Sequence, residues 1–139
     1  MAEKVQALDG FDKQDQADRV AQMLVRGEVL FLVYDCKGRG TGFIGVTDKR
    51  IIARDDGRRG REKQITSIPF SRIHSVSVES DKGWVRGSSF LAISAGDDDW
   101  TFNFRGADKA QRAYQRIMES LLGTERAPAA GVAEVPVEG

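Results

Sequence analysis

The chain has 139 residues, 40% hydrophobic and 30% charged, a composition typical of one globular domain with its own core. Basic and acidic residues number 21 each, so composition excludes a general electrostatic attraction to nucleic acid, which we do not expect as a partner. Cys36 is the only cysteine, the N-terminal residues lack the pattern of a secretory signal, and no apolar run is long enough to span a bilayer, so we expect a cytoplasmic protein.

The first periodic pattern follows a mixed segment, residues 1–11, that we expect to be flexible. Apolar residues then recur at helical spacing, which predicts an N-terminal helix over residues 13–26, or 12–27 with its caps. Asp12 is a candidate for the N-cap and Gly27 for the C-cap. The apolar stripe of this helix consists of Ala17, Val20, Ala21 and Leu24.

Short β-rich runs separated by polar turns come next. Val29–Cys36 is apolar on both sides, as expected for a strand that is covered on both faces. Phe43–Val46 and Arg50–Ala53 flank the polar turn Thr47-Asp48-Lys49, which indicates a compact hairpin. Further strands are predicted at Glu62–Phe70, Ile73–Glu79, Phe90–Ala95 and Trp100–Phe104.

The last part of the chain changes its period. Trp100, Phe102 and Phe104 alternate with polar residues, which places three aromatic rings on one core-facing side of a strand. From Ala107 the apolar residues follow a helical period, and Gly123 ends this second helix. Residues 123–139 show no periodicity and are expected to form a disordered tail.

Two motifs in this order resemble those of the bacterial pleckstrin-homology (PH) domains. In that family a T-(N/D)-K-R-(I/L)-I hairpin precedes an I-(P/x)-(Y/F)-x-x-I strand pair. Here Thr47-Asp-Lys-Arg-Ile-Ile52 precedes Ile65-Thr-Ser-Ile-Pro-Phe-Ser-Arg-Ile73. The resemblance covers residues 28–122. It implies a mainly β (α+β) fold: a PH-like barrel or sandwich of seven antiparallel strands capped by a C-terminal helix, here with an extra N-terminal helix.

Residues that could carry chemistry have simpler interpretations. His74 has no partner pattern for a triad or a metal, so a structural or surface role is favoured. Cys36 lies near cations that could activate it, but a buried, unreactive thiol is the favoured reading. Gly96-Asp97-Asp98-Asp99 fits a hairpin turn better than a calcium loop. We therefore predict no catalytic residue, cofactor or metal, and an enzyme is the least favoured class.

Basic loops provide the candidate binding site. Eukaryotic PH domains bind phosphoinositides at the open end of the barrel, with basic residues around the first loop. Lys37 and Arg39 match that position loosely. Alternation of strand direction places three loops of this chain at one end, whereas Lys49 and Arg50 belong to the opposite end. In the alternative interpretation, the basic residues Arg58–Arg61 belong to a solvated loop without a ligand, and the indole of Trp84 packs beneath its own loop. The candidate ligand- or lipid-binding residues are Lys37, Arg39, Arg58, Arg59, Arg61 and Trp84.

Two functions remain from different classes. The first is a non-catalytic binding and assembly module that mediates protein–protein contacts, because bacterial PH domains commonly form ring-like homo-oligomers; its partners would be copies of itself or another protein. The alternative is an adaptor peripheral to the inner face of the membrane, which would recognise anionic headgroups through the basic loops. Fold resemblance alone does not decide between them.

Overall fold

The computed structural model describes residues 9–37, 42–55, 64–80 and 87–123, and in these ranges it contains seven strands and two α-helices. The helices are α1 (Gln14–Ala21) and α2 (Lys109–Leu122). The number and order of strands confirm the predicted architecture. The strands are β1 (Leu30–Asp35), β2 (Phe43–Thr47), β3 (Arg50–Asp55), β4 (Gln64–Pro69), β5 (Ile73–Ser80), β6 (Ser88–Ala95) and β7 (Asp98–Arg105).

The strands form two antiparallel sheets, with the orders β1-β2-β3-β4 and β5-β6-β7. At one corner the sheets touch, because Cys36 bridges to Phe104 and the Lys37 amide donates a 2.9 Å hydrogen bond to the Asn103 carbonyl. At the other corner a single 3-10 turn, Phe70–Arg72, separates β4 from β5, and these strands are not paired. Pro69, which has no N–H to donate, ends β4 at this point.

Apolar side chains from both sheets fill the space between them, and α2 packs against this core. The ring of Tyr34 meets the ring of Phe104 edge to face at a centroid distance of 5.7 Å. In β7 Phe102 and Phe104 are buried and Trp100 is half-buried, so the predicted aromatic face is confirmed. The largest core side chains without exposed surface are Leu32, Ile44, Ile51, Leu91, Ile93, Phe104 and Ile117.

A second apolar layer lies on the outer face of the first sheet, where α1 packs. Ala17 and Val20 of α1 contact a cluster that includes Val33 of β1 and Ile52 of β3. β1 is therefore buried on both faces, as its continuous apolar sequence predicts. Gly45 permits this close approach, because a Cβ atom at that position would lie only 2.8 Å from Cγ1 of Val20.

Residues 9–12 lie along the free side of β1 and connect it to α2. Phe11 forms a parallel bridge with Val33, and the Asp12 amide donates to the Val33 carbonyl at 3.0 Å. The Asp9 carboxylate accepts two hydrogen bonds from Arg116, at 2.7 and 3.0 Å, and Asp12 pairs with Lys109 of α2. The start of the described chain is thus fastened to its last helix.

The first helix differs from its prediction at both ends. Asp12 does not cap it: the cap position is Lys13, and the Asp12 carboxylate instead accepts a 2.9 Å hydrogen bond from the Asp35 amide. The helix ends at Ala21 rather than near residue 26, and Gly27, with φ of +82°, lies in the connection to β1. In contrast, Gly123 caps α2 in the left-handed conformation, as predicted.

Candidate functional site

Among the six predicted ligand-binding residues, only Lys37 lies in the described part of the chain. Its amino group donates a 2.6 Å hydrogen bond to the Ser88 hydroxyl at the start of β6, and the side chain is half-buried. The five others lie outside the described residues, so their role in binding stays a prediction. They are Arg39, Arg58, Arg59, Arg61 and Trp84.

The contact between Lys37 and Ser88 brings two loop bases together. Lys37 is the last described residue before the loop that contains Arg39, and Ser88 lies just after the loop that contains Trp84. The next residue, Ser89, donates its hydroxyl to the Gly106 carbonyl at 2.7 Å, and the Ala110 amide donates to the same hydroxyl at 3.0 Å. The base of the Trp84 loop is therefore held against the start of α2.

A cavity of about 500 Å³ opens between the ends of the first sheet and the first half of β7. Its lining includes Cys36 and Gly42, on either side of the first strand–strand loop, and Asp55 and Gln64, on either side of the third. The described lining consists of Cys36, Gly42, Phe43, Ile44, Ala53, Arg54, Asp55, Gln64, Thr66, Asp98, Asp99, Trp100, Thr101 and Phe102.

The described wall of this cavity is acidic. Asp55, Asp98 and Asp99 contribute carboxylates, and Arg54 is the one cation in the lining that the structure describes. The Arg54 guanidinium lies 5.9 Å from the centre of the Phe43 ring. Attraction of an anionic headgroup to this end would therefore depend on Lys37 and on the cations of the two adjoining loops.

Cys36 borders the cavity but is not a nucleophile at neutral pH. Burial raises the pKa of its thiol to about 12, and the carboxylates of Asp35 and Asp12 act in the same direction. Only 8% of the residue is exposed. A thiol of this kind stays protonated and inert, in agreement with the favoured sequence interpretation.

Two other candidates are parts of the ordinary framework. His74 is exposed on β5, and its Nε2 lies 3.4 Å from the Gly96 carbonyl. The aspartate run is a hairpin turn: Ala95 pairs with Asp98, Gly96 has φ of +64°, and Asp99 accepts a 2.8 Å hydrogen bond from Ser94. Within the described ranges, no cluster of three or more His, Cys, Asp or Glu side chains is placed to hold a metal ion.

The hairpin motif Thr47–Arg50 has a structural role that depends on a residue the sequence analysis missed, Glu28. Arg50 donates two hydrogen bonds to the Glu28 carboxylate, at 2.8 and 2.9 Å, and a third to the Met23 carbonyl at 2.7 Å. The Thr47 hydroxyl donates to the same carboxylate at 2.7 Å and accepts from the amides of Lys49 and Arg50. The motif therefore attaches the connection after α1 to the β2–β3 turn. The sequence pattern that could have indicated this role is the acidic Glu28 directly before the apolar strand that begins near Val29.

Glu28 has no exposed side-chain surface. Burial alone would raise the pKa of its carboxyl group, but hydrogen bonds from Arg50, the Val25 amide and Thr47 outweigh this and lower the pKa from 4.5 to about 2. Because Arg50 is committed to Glu28, it is not a ligand-binding cation. This agrees with its assignment to the end of the barrel opposite the basic loops.

One edge of β4 has no paired strand in the described structure. In the described structure β4 pairs with β3 alone, and β3 is the element that packs extensively against it. Side chains alternate along this strand, with Ile68 in the core and Ile65 51% exposed on the outer face. β5 also lacks a partner on one side, but α2 packs against it. β4 is therefore the less protected edge.

Two antiparallel sheets packed face to face, with a C-terminal helix against their core, define a domain of the pleckstrin-homology type. The chain belongs to the bacterial PH domain family, because the family's sequence model matches residues 26–119. Such a domain is a generic binding module that generally mediates protein or lipid interactions, and members are typically non-catalytic. No curated protein matches the chain.

Solved structures show the same fold. The chain is similar to a pleckstrin homology domain from Shewanella amazonensis SB2B, with 22% identity and a TM-score of 0.59 over 81% of this chain and 100% of the other. It is also similar to a DUF1696 family protein with a pleckstrin-homology domain from Shewanella loihica PV-4, with 18% identity and a TM-score of 0.59 over 79% and 93% of the two chains. No helix among the described residues is long and apolar enough to cross a bilayer.

Proposed function

We propose that this chain is a non-catalytic binding and assembly module that self-associates, with the unpaired edge of β4 as its main contact surface. In the described structure, α1 packs on the outer face of the first sheet, and the inner faces of both sheets form the core together with α2. Strand edges are then the surfaces best suited to a partner, because their N–H and C=O groups can extend the sheet.

The distribution of exposed apolar side chains supports this choice. The large apolar side chains with substantial exposure in the described ranges lie on separate segments: Phe11, Val25, Val29, Ile65 and Leu122. Ile65 is the one that lies on a strand, and that strand is the open edge. A contact through β4 therefore combines backbone pairing with burial of an exposed isoleucine.

Light scattering on a sizing column tests the proposal. We expect a discrete mass of several protomers for the unmodified chain and a shift to the monomer for Ile65→Glu, because a charged side chain opposes pairing at an open edge. Val25→Glu is the matched control, since Val25 is 56% exposed on the connection after α1, and it should leave the mass unchanged. A monomer at all concentrations of the unmodified chain would contradict self-association.

A second candidate function is recognition of an anionic membrane surface by Lys37, Arg39, Arg58, Arg59, Arg61 and Trp84. It is supported by the contact between Lys37 and Ser88 and by the cavity whose lining includes the described residues that flank the first and third loops. The acidic wall of that cavity counts against it, which is why it ranks second.

Vesicle co-sedimentation tests this second function. Binding to vesicles with anionic lipid should fall by at least about thirtyfold when Arg58 and Arg59 are reversed to glutamate, given about 1 kcal/mol for each cation lost. Trp84→Ala should weaken it further, and added salt should weaken it in the unmodified chain. Neutral vesicles are the control. Unchanged binding by the charge-reversed protein would reject the loops as the site.

A further inference from the structure

We propose that the β4 edge binds residues 133–138 of a neighbouring copy of this chain, which add to the sheet as an extended strand. The inference rests on the proposed self-association and names the segment that makes the contact. It follows from where α2 ends, from the sequence pattern beyond Gly123, and from the side chains that border β4.

The C-terminal end of α2 lies near the corner where β4 leads into β5. The N-terminal end is placed at the start of β6 by the 3.0 Å hydrogen bond from the Ala110 amide to Ser89. The opposite end of β6, Ala95, pairs with Ile73, which follows the 3-10 turn directly. α2 contacts this turn, and its 14 residues span about 21 Å, comparable to the length of β6. The chain therefore leaves α2 beside the open edge.

The tail as a whole has no periodicity, but the short stretch 133–138 within it alternates as a strand does. Ala133, Val135 and Val137 alternate with Glu134, Pro136 and Glu138, so an extended conformation has one apolar and one acidic face. Proline within such a pattern is compatible with an edge strand, because one side of an edge strand needs no N–H donor. Residues 124–132 can span up to about 30 Å, enough to reach across a small domain to a neighbour.

The inner side of the β4 edge suits the apolar face of this segment. Ile68 of β4 belongs to the core, and Thr66 lies on the same side of the strand. Across the open corner, Val76 and Val78 of β5 pack on the core and are only half-buried. An added strand that directs its valines inward would cover these two side chains.

The outer side of the edge suits the acidic face. Arg50 and Arg54 lie two residues on either side of Ile52, which belongs to the outer cluster, so all three are on the outer face of β3. These arginines are paired in register with Pro69 and Ile65 of β4. The glutamates of an added strand would lie on this side, where the Arg54 guanidinium would attract them; the charge of Arg50 is already balanced by Glu28.

The position of Pro136 fixes which residues of the added strand face β4. In an antiparallel pair, alternate residues direct their N–H and C=O groups toward the partner. Pro136 has no N–H, so it belongs to the set directed away, together with Glu134 and Glu138. Ala133, Val135 and Val137 then form the set that pairs with β4. Each chain carries both the added segment and the β4 edge that receives it. The contact is therefore head to tail and builds a ring or a filament.

Proline substitutions in the full-length chain provide the test. Val135→Pro removes an N–H directed toward β4, whereas the matched control Glu134→Pro removes one directed away. By light scattering, Val135→Pro should weaken association by roughly tenfold or more. Glu134→Pro should leave the mass unchanged. Both positions follow the last described residue, Gly123, and circular dichroism should show the same folded content for both variants.

A labelled peptide of residues 124–139 gives a direct readout. It should bind to the Val135→Pro protein, whose β4 edge is free, and the same peptide with Val135→Pro should bind at least tenfold more weakly in fluorescence anisotropy. If both proline variants keep the oligomeric mass, the inference is overturned while self-association through another surface remains. A monomeric unmodified chain overturns the proposed self-association itself, and peptide that binds with equal affinity in both forms overturns the pairing scheme.

Discussion

Replacing Glu28 by glutamine tests whether the hairpin motif stabilises the fold through its hydrogen bonds to Glu28. Glutamine keeps the size of the side chain but removes the charge that accepts two hydrogen bonds from Arg50. The folded-state pKa of Glu28 is about 2, against 4.5 for the free group. At about 1.4 kcal/mol per pKa unit, this difference corresponds to about 3 kcal/mol of stability at neutral pH. Loss of one partner of a buried ion pair has a similar effect, about 3–5 kcal/mol.

The effect should depend on pH with a definite sign. Because the pKa is lower in the folded state, the contribution of Glu28 is fully present above pH 4.5 and is lost as the pH falls toward 2. The difference in unfolding free energy between the unmodified chain and Glu28→Gln should therefore be about 3 kcal/mol at pH 7 and shrink toward zero near pH 2.

Urea unfolding followed by circular dichroism at several pH values measures this difference. Asp15→Asn is the control, since Asp15 is exposed in the first turn of α1 and should change stability by less than about 1 kcal/mol. A loss below about 1 kcal/mol for Glu28→Gln at pH 7, or a loss that does not vary with pH, would refute the reasoning.

Three further outcomes are expected. Gly45→Ala should cost about 1–3 kcal/mol in urea unfolding, because the new Cβ meets Val20 at 2.8 Å; an unchanged midpoint would contradict the close packing of α1. Arg116→Ala should speed hydrogen exchange at the Asp12 amide, since it removes the pair with Asp9 and the guanidinium 4.0 Å from the centre of the Phe31 ring; Arg19→Ala, on exposed α1 surface, should not. Cys36 should react with a disulfide reagent at pH 7 only after unfolding, given its pKa of about 12, and rapid labelling of the native protein would contradict its burial.

Local patterns predicted the strands well. The period of two in β7 and the compact turn between β2 and β3 depend on near neighbours in sequence, so the sequence contains the information that decides them. The same holds for Gly123, which ends α2 through its left-handed conformation. The resemblance to bacterial PH domains rested on such local motifs, and it extended correctly to the whole fold.

Long-range contacts were not predictable in the same way. Asp12 has the sequence signature of a helix cap, but its carboxylate accepts a hydrogen bond from the Asp35 amide and forms an ion pair with Lys109. α1 ends at Ala21 because the residues after it are held by Arg50 and Glu28, and that network joins segments 22 positions apart. The open edge of β4 likewise depends on which strands pair, and the loops of the candidate lipid site lie outside the described ranges.

The attachment of residues 9–12 to α2 has a consequence for synthesis on the ribosome. Asp9 and its partner Arg116 are 107 positions apart, so at about 5–20 residues per second roughly 5–20 s separate their translation. During that interval α1 and the first sheet can pack on each other, but the inner face of that sheet has neither its opposing sheet nor α2 to cover it. Residues 9–12 can pair with β1 early, but their ion pairs with α2 are among the last contacts to form, and meanwhile the growing chain exposes an apolar surface that a chaperone would recognise.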